Sequence, residues 1–167
     1  DIADYDELMT MRLETLKTHQ LGINEMQSVI SGLSPLPGAA EFLDDLRTAY
    51  QVVILSDTFY EFARPLMAQL AWPTLMCHQL EINAEGTITG YRLRQEDPKR
   101  RAVEAFRSLN FRIFAAGDSY NDTSMLGAAD AGFLFRAPSN VKVEFPSFKA
   151  TDEYAELRRL IDETATR

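Results

Sequence analysis

Cysteine is almost absent from this sequence of 167 residues: only Cys77 occurs, so no internal disulfide can form. Proteins without disulfides are typical of the reducing cytosol, and we expect this one to be cytoplasmic. Long apolar runs are also missing, since none approaches the roughly 18 residues that a membrane-spanning helix needs. Histidine is scarce, and both His19 and His78 lie away from the motifs described below, which favours structural or surface roles.

Positive charge is outnumbered. The chain has 17 Lys and Arg against 25 Asp and Glu, which gives a net charge of -8. An acidic surface repels nucleic acid and anionic membranes, so neither is an expected partner. The length and a hydrophobic content of 46% suit one domain with a real core and a small insertion. The oligomeric state stays open, with a homodimer among the alternatives.

The first part of the chain predicts a small helical cap, at residues 1–34. Two helical patterns there end at the run Ser34–Gly38, whose prolines and glycine break helices. Asn24, followed three residues later by Gln27, resembles a capping box at the start of the second helix.

Helices and strands alternate over residues 35–167. We predict helices at 39–50, 60–70, 98–109, 122–129 and 152–164, strands at 52–55, 74–81, 112–116 and 132–135, and a hairpin turn at 83–86. This alternation predicts an α/β fold in which a largely parallel, Rossmann-like sheet carries helices on both faces.

Three polar segments fall at one edge of the predicted sheet. Ser56 and Asp57 follow the strand at 52–55, and Asp118 follows the strand at 112–116. Lys99 lies at the start of a helix that runs antiparallel to the second of these strands, which brings it to the same edge. Ligands of open α/β sheets bind outside the carboxyl ends of the strands. Ser56, Lys99 and Asp118 are therefore expected to meet.

The chemistry of these side chains is complementary. The Ser56 hydroxyl suits a phosphate oxygen, and Lys99 offers positive charge to a phosphoryl group. Asp118 and Asp122 offer the oxygen ligands that Mg²⁺ prefers. Gly117 is expected to let the backbone turn tightly before Asp118. Taken singly, each residue could equally be a turn residue, a solvated lysine or a helix cap.

The helix at 98–109 begins with favourable capping residues. Asp97 is a good N-cap, and Pro98 suits the first helical position because its missing N–H is not needed there. We therefore expect the Asp97 side chain to cap this helix, which places Lys99 in the first helical turn.

Together the motifs resemble those of the haloacid dehalogenase superfamily. Ile54–Thr58 resembles its second motif, Lys99 its third, and Gly117–Asp122 the G-D-x-x-N-D form of its fourth. The three occur in the family's order. Residues 51–62, 95–100 and 115–125 are most similar to phosphoserine phosphatases, in particular to the branch that also transfers the phosphoryl group to homoserine.

That resemblance implies a function and a set of roles. The expected reaction is Mg²⁺-dependent hydrolysis of phosphoserine through an aspartyl-phosphate, with homoserine as an alternative acceptor, in serine biosynthesis. Ser56 would bind the phosphoryl group, and Lys99 would neutralise it. Asp118 would bind Mg²⁺, while Asp122 would hold a metal-bound water or orient Lys99. Asn121 would hydrogen-bond the phosphate or the substrate.

Two further substrate-binding residues follow from the same resemblance. Arg12 lies four residues after Leu8 and four before Leu16, so its charge falls within an apolar stripe. It either reaches out to water or points into a site. The segment around it resembles the cap of phosphoserine phosphatases, whose arginine holds the substrate carboxylate. Asp57, beside Ser56, completes the predicted substrate-binding set.

The family's nucleophile has no match. It is an aspartate in a D-x-E or D-x-D motif after the first strand; Asp4-Tyr5-Asp6 has the spacing but no apolar strand before it. We therefore expect a further segment before Asp1 in the natural protein and a core that lacks its first strand here. The strands that end near Ser56 and Asp118 should then not pair directly with each other.

Other classes of protein remain open. A catalytically inactive phosphate-binding homologue is favoured by the unmatched nucleophile and disfavoured by Lys99, Asp118 and Asp122. A phosphatase for another small phosphomonoester would use the same residues. A receiver-like domain also employs aspartates and a lysine, but the helical cap and the G-D-x-x-N-D run disfavour it.

Overall fold

The computed structural model describes residues 5–166, so Asp4 of the rejected Asp4-Tyr5-Asp6 run lies outside the described residues. The α-helices are Tyr5–Thr18 (α1), Ile23–Ser31 (α2), Ala39–Arg47 (α3), Tyr60–Gln69 (α4), Pro98–Ser108 (α5), Thr123–Ala128 (α6), Ser139–Glu144 (α7) and Tyr154–Ala165 (α8). The strands are Val53–Phe59 (β1), Thr74–Ile82 (β2), Ile88–Arg92 (β3), Phe114–Gly117 (β4), Ala131–Phe135 (β5) and Lys149–Thr151 (β6), and Tyr120–Asp122 forms a 3₁₀ turn. Of the helices in this part of the chain, none has the length and apolar content to span a membrane.

The described residues form two compact units. The first holds the residues up to Pro37 together with Val52–Glu96, and the second holds Gly38–Gln51 and the chain from Asp97 onward. Each unit contains one three-stranded sheet, in the order β1-β2-β3 in the first and β4-β5-β6 in the second. The division into a cap and a core near residue 34 stays a prediction.

In the first unit a parallel strand pair continues into a hairpin. β1 runs parallel to β2, and β2 pairs antiparallel with β3 through the predicted turn at 83–86. Gly86 has a φ of 84°, which favours glycine in this turn. The core cluster on this sheet combines one residue of α1, Met9, with strand residues such as Phe59 and Ile88.

α2 begins two residues earlier than its predicted capping box requires, because its N-cap is Gly22 and not Asn24. The Gly22 N–H donates to the Glu25 carboxylate over 2.9 Å, whereas the Gln27 side chain donates to the backbone carbonyl of Glu61. The predicted Asn24–Gln27 box is therefore wrong. Packing fixes the helix start instead, because a Cβ on Gly22 would lie 2.7 Å from the carbonyl oxygen of Gly86.

The second unit confirms the parallel α/β prediction. β4, β5 and β6 are all parallel, and the α8 residues Leu157, Leu160 and Ile161 bury Phe133 of β5. Neither α7 nor β6 was predicted, because six and three residues are too short to show a periodic pattern. Apart from β1, the other predicted elements end within three residues of the observed bounds.

β1 and β4 each lie at one edge of their sheet. Within residues 5–166, β2 is the strand that pairs with β1, and β5 is the strand that pairs with β4. β1 and β4 belong to different units, and the expectation that they do not pair directly with each other stays a prediction. A strand that belongs beside them stays a prediction.

Candidate functional site

A buried ion pair joins α5 to the loop after β4. Lys99, in the first turn of α5, donates from Nζ to Oδ1 of Asp122 over 2.8 Å. The two side chains are only 12% and 8% exposed. Removing either charge from water is costly unless the other compensates it, so each partner makes the burial of the other tolerable.

The second carboxylate oxygen of Asp122 accepts hydrogen bonds from earlier residues of the same loop. Oδ2 accepts hydrogen bonds from the N–H groups of Asp118 and Ser119, at 3.0 and 3.1 Å, and from the Ser119 hydroxyl at 3.0 Å. Burial alone would raise the pKa of the Asp122 carboxyl. The hydrogen bond and charge of Lys99, with the two N–H groups, outweigh burial and hold that pKa below its ordinary value.

Gly117 is required for space, not for its backbone angles. A Cβ at this position would lie 2.5 Å from Cβ, 2.7 Å from Cγ and 2.8 Å from Oδ2 of Asp122. Its φ is not positive; among the glycines of the described chain that property belongs to Gly38 and Gly86. The predicted reason for Gly117, a tight turn, is therefore wrong. Glycine is needed because the Asp122 side chain occupies the space that a side chain at position 117 would fill.

Asp118 presents an exposed carboxylate directly after β4, and Asn121 is exposed in the 3₁₀ turn that follows. No group of three acidic, histidine or cysteine side chains suited to a metal occurs in residues 5–166. Mg²⁺ needs no such cage, since it usually binds one or two carboxylates and keeps several waters. Asp118 fits this chemistry. Three donors already occupy Oδ2 of Asp122, which leaves Asp122 better suited to orienting Lys99 than to direct coordination.

Asp97 does not cap α5 with its side chain. It precedes the helix with φ 43° and ψ 56°, in the left-handed region, and makes no capping hydrogen bond. Its carboxylate instead accepts from Arg100 Nε and, over 3.0 Å, from the Ser124 hydroxyl of α6. The predicted positions of Asp97 as N-cap and Pro98 at the first helical position are confirmed, but the expected capping bond from the Asp97 side chain is not made. The hydrogen bond from Arg100 helps to hold the pKa of Asp97 below its ordinary value, and Asp97 ties the start of α5 to the start of α6.

Ser56 and Asp57 lie within β1, not in a turn after it. Four steps along β1, from Leu55 to Phe59, oppose only two along β2, from Met76 to His78, so β1 bulges here. Within the bulge the Ser56 hydroxyl accepts the N–H of Thr58 over 3.3 Å. A serine hydroxyl that accepts one bond can still donate its proton to a phosphate oxygen. The predicted end of the strand at residue 55 is corrected, and the phosphate role stays a prediction.

Arg12 is exposed on α1. The face of α1 that packs on the sheet is formed by Met9, Leu13 and Leu16, at helical spacing. Arg12 therefore borders the apolar stripe and does not lie within it, because the stripe runs through Met9 instead of through Leu8. Its predicted contact with a substrate carboxylate is not tested by this geometry.

The structure groups the predicted residues by unit. Lys99, Asp118 and Asp122 come together in the second unit, with Asn121 in the same loop. Arg12, Ser56 and Asp57 belong to the first unit. That the two sets meet around one substrate remains a prediction.

Ser119 is the site residue that sequence reasoning missed. Its hydroxyl and N–H both bind Asp122, three residues later. The spacing S-x-x-D is a known capping-box signal and could have revealed this role. The histidines take no part in the loop: His19 is exposed, and His78 is buried in β2, where Nδ1 accepts the N–H of Arg94.

Comparison with known proteins gives consistent results. The family model for haloacid dehalogenase-like hydrolases matches residues 4–127. The chain is 58% identical over 159 residues to phosphoserine phosphatase ThrH of Pseudomonas aeruginosa, covering 95% of this chain and 78% of that protein. The identity to a phosphoserine phosphatase of Pseudomonas syringae pv. tomato is also 58%, over 95% of this chain and 67% of that protein.

Solved structures share the fold. A phosphoserine phosphatase from T. onnurineus superposes with a TM-score of 0.65 at 25% identity, over 84% of this chain and 66% of that chain. A phospho-aspartyl intermediate analogue of phosphoserine phosphatase gives a TM-score of 0.70 at 21% identity, over 84% of this chain and 70% of that chain. At this level of identity the second structure supports the fold alone.

The two partners of the ion pair should differ in their effect on stability. Asp122→Asn places an NH₂ group against either Lys99 or the N–H groups of the loop, and it removes the negative charge that lies 2.8 Å from the buried Lys99 ammonium. We expect a loss of roughly 3 kcal/mol in the free energy of unfolding. Lys99→Met leaves three donors on Asp122 and should cost less, about 1–3 kcal/mol. Urea unfolding at pH 7 measures both, and an equal or larger loss in Lys99→Met would contradict the assignment.

Lowering the pH should reduce the free energy of unfolding, because the Asp122 carboxylate becomes protonated. A carboxyl whose folded-state pKa is lowered stabilises the protein fully above its ordinary pKa of about 4, and that contribution is lost as pH falls through the lowered value. Lys99→Met removes the main cause of the lowering. Its free energy of unfolding should therefore fall less steeply than that of the wild type between neutral pH and pH of about 2. Urea unfolding along a pH series tests this, and parallel profiles would rule it out.

Proposed function

Because this chain belongs to the haloacid dehalogenase-like hydrolase family, and is thus an enzyme of that family, we propose that it hydrolyses phosphoserine in a Mg²⁺-dependent reaction. The observation that carries the proposal is the buried Lys99–Asp122 pair beside the exposed carboxylate of Asp118. A fixed cation and a metal-binding carboxylate at the carboxyl edge of a parallel sheet are the groups that phosphoryl transfer requires.

Lys99 would hold the phosphoryl group. Its ammonium has three hydrogens, so it can donate to a phosphoryl oxygen while it keeps its bond to Asp122. Burial strengthens this interaction, because water screens the charge poorly at a site where the lysine side chain is only 12% exposed. Asp122 fixes the direction of the ammonium in advance, so little reorganisation is needed when charge develops on the phosphoryl oxygens.

Asp118 would be the direct ligand of the metal. Its carboxylate is exposed, while its N–H is held by Asp122, so the backbone is fixed and the side chain faces solvent. Bound there, Mg²⁺ would neutralise charge on the phosphoryl oxygens as a Lewis acid. Asp122 would orient Lys99 and hold a metal-bound water, and Asn121 would hydrogen-bond the phosphate or the substrate.

The first unit would contribute the remaining contacts. The Ser56 hydroxyl, held in the β1 bulge by the N–H of Thr58, would donate to a phosphoryl oxygen. Asp57, half-buried beside it, would line the substrate site. Arg12 would bind the substrate carboxylate, a task that suits the planar, two-pronged guanidinium.

The reaction would proceed through an aspartyl-phosphate. A carboxylate oxygen of the nucleophilic aspartate that the family resemblance implies would form a bond to phosphorus as the bond to the serine oxygen breaks. The serine oxygen takes up a proton and leaves as an alcohol. Water would then attack phosphorus, releasing phosphate and restoring the aspartate; attack by the hydroxyl of homoserine would give phosphohomoserine instead. This reaction would belong to serine biosynthesis in the cytoplasm.

Replacement of the metal ligand tests the reaction. In the protein encoded by the complete gene, Asp118→Asn should lower phosphoserine turnover at least ~100-fold, because a charge-stabilising group is lost. Thr123→Ser, at the residue directly after Asp122, keeps the hydroxyl that donates to the Tyr120 carbonyl and serves as a conservative control. Phosphate release is measured with and without excess chelator. Full activity in chelator would refute the Mg²⁺ requirement, and tight phosphoserine binding without turnover would indicate an inactive binding homologue.

Replacement of Arg12 tests substrate choice. Arg12→Ala should raise the KM for phosphoserine by about 10- to 150-fold, since a charged hydrogen bond contributes roughly 1.5–3 kcal/mol. The KM for a phosphomonoester without a carboxylate should change little. Arg12→Lys keeps the charge but loses the paired geometry, so it should restore part of the affinity. Equal changes for both substrates would show that Arg12 serves folding and not recognition of the carboxylate.

A further inference from the structure

Tyr120 lies in the middle of the loop that carries Asp118 and Asp122, yet the reaction proposed above gives it no role. Its side chain is 44% exposed. The hydroxyl donates to Oε2 of Glu144 over 2.6 Å and accepts from Nδ2 of Asn140 over 3.4 Å. Glu144 and Asn140 both belong to α7, so one phenol hydroxyl joins the loop to that helix by two hydrogen bonds.

The ring of Tyr120 makes a second contact in the same direction. It meets the ring of Phe145, the residue after α7, edge to face, with centroids 6.0 Å apart. Such a contact adds a directional preference to the burial of the rings. Hydroxyl and ring together therefore set the position of Tyr120 against the end of α7.

α7 is itself well anchored. Val141 is 1% exposed, and Lys142 forms an ion pair with Asp152 at 2.8 Å. The helix follows β5, which pairs in parallel with β4, so the segments after both strands leave the same edge of the sheet. α7 thus offers a fixed surface beside the loop.

The loop is held from the other side by its own residues. Asp122 accepts the N–H groups of Asp118 and Ser119, and the Thr123 hydroxyl donates to the Tyr120 carbonyl over 2.8 Å. To these contacts within the loop, the Tyr120 side chain adds an attachment to α7. Asp118 lies two residues before Tyr120, in the segment that is restrained both by the contacts within the loop and by the contacts with α7.

We propose that Tyr120 is a positioning residue through which α7 holds the 118–122 loop in the conformation that binds the metal. The inference rests on the proposed role of Asp118 as a metal ligand. A loop ordered before the cation arrives does not have to lose that freedom on binding, and affinity rises accordingly. Loss of the Tyr120 hydroxyl should therefore weaken metal binding while it leaves the metal ligand in place.

Tyr120→Phe is the direct test, because it keeps the ring beside Phe145 and removes both hydrogen bonds. Titration calorimetry with MgCl₂ on the protein encoded by the complete gene should give a Kd about 3- to 10-fold higher than the wild type, as expected for lost hydrogen bonds. Turnover at saturating Mg²⁺ should stay within about twofold, since the ligand and Lys99 remain.

Tyr50→Phe is the matched control. The Tyr50 hydroxyl donates to Asp162 over 2.6 Å, a bond of the same length and chemistry in the same unit but away from the loop. It should lower the thermal midpoint much as Tyr120→Phe does and leave the Kd for Mg²⁺ unchanged. If Tyr120→Phe also lowers the midpoint without changing the Kd, the hydroxyl serves folding only and the inference is wrong.

Glu144→Gln separates positioning from simple attraction of a cation by the Glu144 charge. Glutamine keeps a carbonyl oxygen that can accept the Tyr120 hydroxyl but carries no charge. A Kd within about twofold of the wild type supports positioning, while a loss as large as that of Tyr120→Phe overturns it. Asp118→Asn separates the proposed metal site from the proposed role of Tyr120. If Asp118→Asn binds Mg²⁺ with an unchanged Kd, the metal site itself is refuted. If Asp118→Asn loses Mg²⁺ binding but Tyr120→Phe has the Kd of the wild type, only the role of Tyr120 is refuted.

Discussion

The buried carboxylate of Asp122 organises the second unit around one point. Its two oxygens accept from Lys99 on α5 and from Asp118 and Ser119 on the loop after β4. A carboxylate so far removed from water is stable only while these donors stay in place. The pair need not add net stability, since replacing buried ions by apolar groups is often neutral or better. What it provides is a set of hydrogen bonds that join α5 to the loop after β4 at one point.

Several local features become necessary once that arrangement is fixed. Gly117 has no side chain because Asp122 fills its place, and Gly132 has none because a Cβ would lie 2.7 Å from the Leu126 carbonyl of α6. Asp97 accepts a left-handed backbone and uses its carboxylate to join α5 to Ser124 of α6. These are costs that a site tolerates when the surrounding contacts over-determine the conformation. Two contacts therefore hold the start of α5, which carries Lys99: the ion pair between Lys99 and Asp122, and the hydrogen bond from Ser124 to Asp97.

The sequence was sufficient where a rule acts through chain direction alone. Alternating helices and strands predict parallel strands, and parallel strands place their following loops at one edge, which is why Ser56, Lys99 and Asp118 are expected to meet. Of these, Lys99 and Asp118 lie in the same unit. The sequence was insufficient where the outcome depends on packing between distant segments. The Gly22 start of α2 depends on Gly86, and the β1 bulge at Ser56 depends on its register with β2. Short elements such as α7 carry too few residues for a periodic signal, although α7 supplies the partners of Tyr120.

Charge explains why such a site would need a divalent cation before it can hold a phosphate. Lys99 and Asp122 cancel, with Nζ and Oδ1 only 2.8 Å apart, and Asp118 adds a negative charge beside them. Taken alone, this group of three carries a net charge of about -1 at neutral pH and would repel a phosphomonoester dianion. The sign would reverse if a divalent cation bound at Asp118 as proposed, and the Lys99 ammonium would then add to an attractive field. In the proposed site Asp122 would thus have two opposed effects: it would lower the affinity of the bare site for phosphate, and it would fix the lysine that the phosphate meets. A lysine left without that carboxylate would attract phosphate more strongly, but it would lose either its charge or its position in the buried setting.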